Sequence, residues 1–239
     1  MTIVKSTRDG AVVTITLDRP NEGNLLPVDG VRELAASFRA AGATDAKVIV
    51  LRGEGEDFCR GRDPKGGPPS PTAMKMRANV CEPILDVYAA MSSAHQPIVG
   101  VVQGMAYGFG CAIASACDIT IAHDTARFKL PEMEKDLPPT LAMSAVLPRV
   151  PRKVLAWMVY SMDELDAHAA HHVGIVSKVE TEALVEMEVD KLLKTMTARS
   201  PEALVAVKDF LRSAPHMEPR GMADYGANLL AAVLSSAGK

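Results

Sequence analysis

An α/β core followed by a helical C-terminal region is the architecture this sequence predicts, on three observations. Short β-branched apolar runs at residues 11–17, 48–51 and 98–102 have the length and composition of strands, and the last two are apolar throughout, as in a sheet buried on both faces. Segments of helical spacing stand between them, such as 27–41, where Val28, Val31, Leu34, Ala35 and Phe38 fall on one stripe. From residue 182 to 236 the pattern is helical throughout. Strands and helices in alternation and then helices alone give one α/β layer system with a helical appendage.

Taken in order, residues 2–6 and 11–17 form a hairpin around Arg8-Asp9-Gly10, because Asp-Gly supplies the positive φ of a tight turn. A loop through Pro20 leads to the helix over 27–41, which Gly42 ends. The strand 48–51 then delivers the chain to a glycine-containing turn over 53–63. Residues 64–71, PKGGPPSP, are expected to form a mobile loop, since proline removes amide donors and glycine adds backbone freedom. A helix over 73–91 follows. The stretch 97–122, PIVGVVQGMAYGFGCAIASACDITIA, reads as a buried strand, a turn bearing Gly104, Gly108 and Gly110, a short helix of small residues and a second strand. Asp118 is expected to anchor the turn after that helix. Beyond it come a strand at 126–130, a turn-rich PEMEKDLPP, helices at 141–147, 152–160 and 164–172, and a last strand at 175–179.

Composition narrows the function classes. With 239 residues, 48% hydrophobic and 23% charged, the chain has material for one sizeable core. A net charge of −3 and no block of like charge give no basic field, so no nucleic-acid partner is expected. Cys59, Cys81, Cys111 and Cys117 lack C-x-x-C spacing, which favours reduced thiols in a cytoplasmic protein. Lys5, Arg8 and Asp9 interrupt the N-terminal apolar residues, so no signal peptide and no membrane association are expected. His168, His171 and His172 have helical spacing, yet no cysteine or carboxylate set completes a shell, and no metal is expected.

The turn at 104–110 is the chemically suggestive feature. Peptide N–H groups at a helix start point outward with partial positive charge, so this segment can hold an oxygen that becomes negative. Three motifs occur in order with it: ITLDRP, VIVLRGEGEDFCRGRD and PIVGVVQGMAYGFGCAIASACDITIA, followed by RFKLPE and HHVGIVSKV. Over nearly its whole length the chain resembles the crotonase (enoyl-CoA hydratase/isomerase) superfamily. The resemblance implies a spiral of ββα units, a CoA thioester as substrate with no prosthetic group, and a homotrimer or dimer of trimers assembled through C-terminal helices. It divides the chain into an acyl-CoA-binding core at 1–190 and a helical oligomerisation region at 191–239. Where family chains commonly continue into a further covering helix, either a more open pocket is expected here or residues 217–234 cover it and make the trimer contact as well.

By position in the family motifs, the oxyanion-holding donors are the backbone amides of Arg62 and Phe109. Arg60, Gly61, Asp63, Tyr107, Gly108, Gly110 and Ala112 surround the substrate. Phe109 departs from the family's usual glycine, and a positive φ there would strain it. Family hydratases use two glutamates; here the first position is Ala112 and the second is Glu132. A lone carboxylate cannot hold water in the two-carboxylate manner, but it can move a proton between two carbons of an enolisable thioester. Asp136 stands where the family usually has glycine and either adds a second carboxylate or faces solvent; solvent is the favoured reading. The resemblance thus implies double-bond isomerisation by Glu132. Hydration, hydrolysis or C–C cleavage with a rebuilt acid pair is the alternative, as is a noncatalytic acyl-CoA-binding subunit.

Overall fold

In the computed structural model, residues 2–63, 65 and 72–236 are described. Apart from Lys65, the expected loop at 64–71 lies outside them. Strand β1 (Val4–Asp9) pairs antiparallel with β2 (Val12–Leu17), from Val4↔Leu17 to Asp9↔Val12. The turn is tighter than the sequence predicts: Arg8 and Asp9 belong to β1, and Gly10 and Ala11 alone connect the strands. Helix α1 (Val28–Gly42) buries Val31, Leu34, Ala35 and Phe38, and β3 (Val48–Gly53) then lies parallel to β2. The helix expected over 73–91 is present as α2 (Ala73–Met76) and α3 (Glu82–Ser93), joined by a π-helical turn at Arg77–Cys81. Pro83 has no N–H to bond four residues back, and the Glu82 N–H reaches five residues back to the Arg77 carbonyl.

Strand β4 (Ile98–Val102), the short β5 (Met105–Tyr107), helix α4 (Phe109–Ala116) and β6 (Ile119–His123) make up the central stretch. Strand β7 (Arg127–Lys129), a 3-10 turn at Glu132–Lys135, α5 (Thr140–Val146) and α6 (Arg152–Ser161) follow. The helix expected at 164–172 starts later. Leu165–Asp166 form β8 against β7, and Asp166 Oδ1 then accepts the Ala169 N–H at 2.7 Å to cap α7 (Ala167–Val173). The expected strand at 175–179 also shifts, to β9 (Lys178–Glu180). Ile175 and Val176 are buried, but their N–H groups close the end of α7 on the Ala170 carbonyl rather than joining a ladder. Helices α8 (Glu182–Thr197), α9 (Pro201–Ser213) and α10 (Pro219–Ser236) complete the chain, and residue 190 falls inside α8.

The main sheet has the order β1-β2-β3-β4-β6-β9, parallel from β2 onward, and a smaller sheet has the order β5-β7-β8. Both faces of the main sheet are covered. Ile49, Leu51, Ile98 and Val102 face α1, α3 and α4, while Val48, Val50, Val99 and Val101 meet Val185, Val189 and Met196 of α8. This is why strands β3 and β4 are apolar at successive positions.

Helix α9 is tied to the core by a buried charge. Lys208 Nζ lies 2.9 Å from Asp118 Oδ2 and 2.9 Å from the Gln96 carbonyl, and Asp118 Oδ2 also accepts the Ile98 N–H at 2.7 Å. Asp118, expected to anchor the turn after α4, thus ties that turn to the entry of β4. Lys208→Met leaves that carboxylate uncompensated, and a loss of about 3 kcal/mol is expected in chemical denaturation. An unfolding midpoint equal to that of the parent chain would refute the role.

Candidate active site

The two glycine turns are built against each other by backbone pairing between distant segments. Cys59 donates its N–H to the Met105 carbonyl at 3.0 Å and accepts the Tyr107 N–H at 2.9 Å, a parallel bridge to Ala106. On the other side, the Leu26 N–H bonds the Gly61 carbonyl at 3.0 Å and the Asp63 N–H bonds the Leu26 carbonyl at 2.8 Å. In such a parallel bridge the residue between the bonded pair aims its own N–H away. Arg62 is that residue, so its amide points away from residue 26.

Gly61 has φ +108°, and a Cβ there would stand 3.1 Å from the Tyr107 carbonyl oxygen and 3.8 Å from the Phe109 nitrogen. The first turn therefore abuts the second at the start of α4. Phe109 is the first residue of that helix, so its N–H is among those with no partner inside it. The condition that would strain Phe109 does not arise, because Gly108 takes the positive φ of +52° and Phe109 begins an ordinary helix. Its ring is buried 6.1 Å from the ring of Tyr88. Gly110 has no positive φ but is needed for a different reason: a Cβ would lie 2.0 Å from the Cys59 carbonyl oxygen.

Glu132 opens the 3-10 turn after β7, and its carboxylate lies over the second glycine turn. A Cβ at Gly108 would stand 2.8 Å from Glu132 Oε1. Oε2 is buried and has no hydrogen-bond partner. Burial raises the carboxyl above its ordinary range, with a backbone hydrogen bond from its own amide opposing the shift. Gly61, Arg62, Gly108, Phe109, Gly110 and Glu132 are therefore brought together, with Ala112 fully buried one helical turn into α4.

Other expected site residues turn elsewhere. Asp136 is exposed and holds φ +55° as the left-handed cap of the 3-10 turn, its N–H reaching the Met133 carbonyl at 3.1 Å. Aspartate is among the few non-glycine residues that take this conformation readily, and no second carboxylate joins Glu132 from this residue. Tyr107 donates its hydroxyl to Glu164. Arg60 Nε pairs with Asp57 at 2.9 Å, and Asp63 Oδ2 pairs with Arg19 at 3.3 Å, so both brace the first turn.

Two residues escaped the sequence reading. Asn24 is fully buried at φ +54°, donating to the Glu54 and Asp57 carbonyls at 2.9 and 2.7 Å and accepting the Arg19 N–H at 2.8 Å. An asparagine in a Gly/Pro-rich loop is a signal for such a turn. Tyr88, on α3, has a buried hydroxyl without a partner, and nothing in its helical spacing marks it. Among the described residues, no group of three or more His, Cys, Asp or Glu side chains is placed to hold a metal ion. A concavity of about 640 Å³ at Arg52, Gln103, His123 and Glu186 lies at the C-terminal ends of β3, β4 and β6 and shares none of the converging residues.

The frame is that of the crotonase fold. The enoyl-CoA hydratase of Mycobacterium smegmatis superposes with a TM-score of 0.92 at 23% identity, over 97% of this chain and 91% of that one. Human enoyl-CoA hydratase domain-containing protein 3 does so at 0.90 and 23%, over 98% and 92%. The sequence places the chain more closely: residues 7–236 match the enoyl-CoA hydratase/isomerase family, and the protein belongs to it. It is 30% identical to a probable enoyl-CoA hydratase of Mycobacterium tuberculosis (strain CDC 1551 / Oshkosh) over 176 residues, 73% of this chain and 70% of the relative. It is 31% identical to the 2,3-dehydroadipyl-CoA hydratase of Escherichia coli (strain K12) over 207 residues, 86% and 80%.

Proposed function

We propose that this family member is an enoyl-CoA double-bond isomerase working through a thioester enolate, with Glu132 as its single base. The observation that supports this best is the half-buried Glu132 carboxylate lying over Gly108 with its buried Oε2 unpartnered, while Ala112 supplies no second carboxylate. Glu132 takes a proton from C2 of a 3-enoyl thioester, and the C–H electron pair moves onto the thioester oxygen. The Arg62 and Phe109 amides hold that oxygen, each worth roughly 2.7–4 kcal/mol in the transition state. Collapse of the enolate shifts the double bond to C2, and Glu132 returns the proton at C4. The CoA thioester is the substrate, and no prosthetic group takes part.

A second reading, hydration, is favoured by the names of the relatives, several of which are hydratases. Wild-type protein is expected to convert 3-hexenoyl-CoA to the conjugated 2-isomer, followed by absorbance of the conjugated thioester. Tight binding without turnover would point instead to an acyl-CoA-binding subunit.

We also propose a homotrimer, or a dimer of trimers, assembled through α9 and α10 in the cytoplasm. Val207, Leu211, Leu230 and Leu234 on those helices are large apolar side chains left exposed in the single chain. The oligomerisation region then begins after α8, whose Val185, Val189 and Met196 belong to the core.

A further inference from the structure

The concavity at the C-terminal ends of β3, β4 and β6 presents hydrogen-bond acceptors whose donors are missing. Strand alternation sets its polar side chains on one face of the main sheet. Val50, Val101 and Ile121 meet α8, and two positions further along the same segments Arg52, Gln103 and His123 line the space, beside Glu182 and Glu186 of that helix. Arg52 is the one Lys or Arg in the lining, and its Nη2 is engaged by Glu186 Oε1 at 2.6 Å. Glu54 and Glu56, on the turn after β3, and Glu182 line the same space without an ion-pair partner among the described residues. Gln103 donates from Nε2 to the Gly53 and Gly55 carbonyls at 2.8 and 3.0 Å, which leaves its Oε1 to accept.

His123 supplies the observation that calls for a ligand. Its side chain is only 10% exposed, and its Nε2 is buried with no hydrogen-bond partner. On the other side of the ring, Nδ1 lies 2.6 Å from Thr125 Oγ1 and 3.3 Å from both Asp124 Oδ1 and the Thr125 nitrogen. A proton on Nδ1 serves the two oxygens, one of them a carboxylate's, so Nε2 is assigned as a bare lone pair. Buried polar atoms are nearly always paired, and this one belongs to a ring lining about 640 Å³ of space.

We propose that this concavity binds an elongated organic cation of the alkyl-diamine class. His123 Nε2 accepts one ammonium N–H, Gln103 Oε1 accepts another, and the Glu54, Glu56 and Glu182 carboxylates balance the charge. An ammonium carries three donors and no acceptor, the complement of this lining. A metal ion does not fit the same groups, because among the described residues no three His, Cys, Asp or Glu side chains are placed to hold one. The positive charge is therefore spread along a chain rather than held at a point. The lining shares no residue with the turns at Gly61 and Gly108 or with Glu132, so the cation and an acyl thioester are bound at separate places.

Butane-1,4-diamine is the probe, titrated calorimetrically into the whole protein at low ionic strength. One saturable site per chain is expected, weakened by added salt and not displaced by butyryl-CoA. His123→Asn keeps a donor for Thr125 Oγ1 and removes Nε2, and a loss of about tenfold or more in affinity is expected, as for a hydrogen bond to a charged group. Glu54→Gln with Glu182→Gln changes two exposed side chains outside the core, and the pair should cost about threefold or more. Absence of saturable binding overturns the proposal. Displacement by butyryl-CoA does so as well, since it would put the diamine in the catalytic cleft. Parental affinity in the doubly substituted protein overturns it even where His123→Asn does not fold.

Discussion

Glu132→Gln is expected to abolish solvent deuterium exchange at the α and γ carbons of a bound acyl-CoA while CoA binding persists. The amide fills the same space over Gly108 but cannot take a proton, and a general base typically contributes about 10²–10⁴-fold. Exchange at the parental rate, followed by mass spectrometry, would sink the assignment. The pH dependence has a definite sign. The base must be ionised, and burial raises its carboxyl, so activity rises with pH through a value above the ordinary glutamate value of about 4.3. Stability runs the other way. A folded-state pKa above the unfolded one gives a contribution present below the unfolded pKa and lost as pH rises through the folded one. Above the folded-state pKa the wild type therefore carries an ionised carboxylate with Oε2 unpartnered at a cost, and there Glu132→Gln should melt higher than the parent.

Gly110→Ala should cost both fold and function. The added methyl would stand 2.0 Å from the Cys59 carbonyl oxygen, a backbone atom that also accepts the Tyr107 N–H. Relief requires the two turns to separate, which misplaces the Phe109 amide relative to Arg62. Turnover is expected to fall by about 10²–10³-fold, the usual loss for one misplaced oxyanion donor, together with a lower melting temperature. Gly221→Ala on α10 is the control, since its nearest neighbour, Glu218 Cγ, is 3.8 Å away. There the better helix propensity of alanine adds up to about 1 kcal/mol. A Gly110→Ala protein with parental turnover and melting would refute the close-approach argument.

Where local chemistry decides structure, the sequence was readable. Parallel strands β3 and β4 declare themselves because a sheet covered on both faces needs apolar residues at successive positions, and α1 because Val31, Leu34 and Phe38 repeat with the helix. The two glycine turns and Glu132 were legible through family motifs. What the sequence hid depends on partners far along the chain. Strand β5 is only Met105–Tyr107 and exists through pairing with β7 and Cys59, which no local pattern encodes. Ile175 and Val176 look like a strand because they are β-branched and buried, yet their amides are taken by α7. Strain at Phe109 depends on which residue of the turn takes the positive φ, and sequence alone does not separate Gly108 from its neighbour. Tyr88 was invisible because an unpartnered hydroxyl is a property of its surroundings.

The bridges from Leu26 to Arg62 and from Cys59 to Ala106 carry a consequence for the history of each molecule. They join segments separated by dozens of residues, so the amide pair does not exist in any partly folded chain that has only its local turns. Loop-closure entropy must be overcome before these contacts are rewarded, which places assembly of the pair late in folding. Once made, they deny the two turns independent opening, since displacing either one breaks ladder hydrogen bonds rather than a flexible hinge. On the proposed mechanism, the capacity to stabilise an anion is therefore expected to be acquired and lost as an all-or-none event with the surrounding structure, with the lifetime of the cooperative unit as a whole.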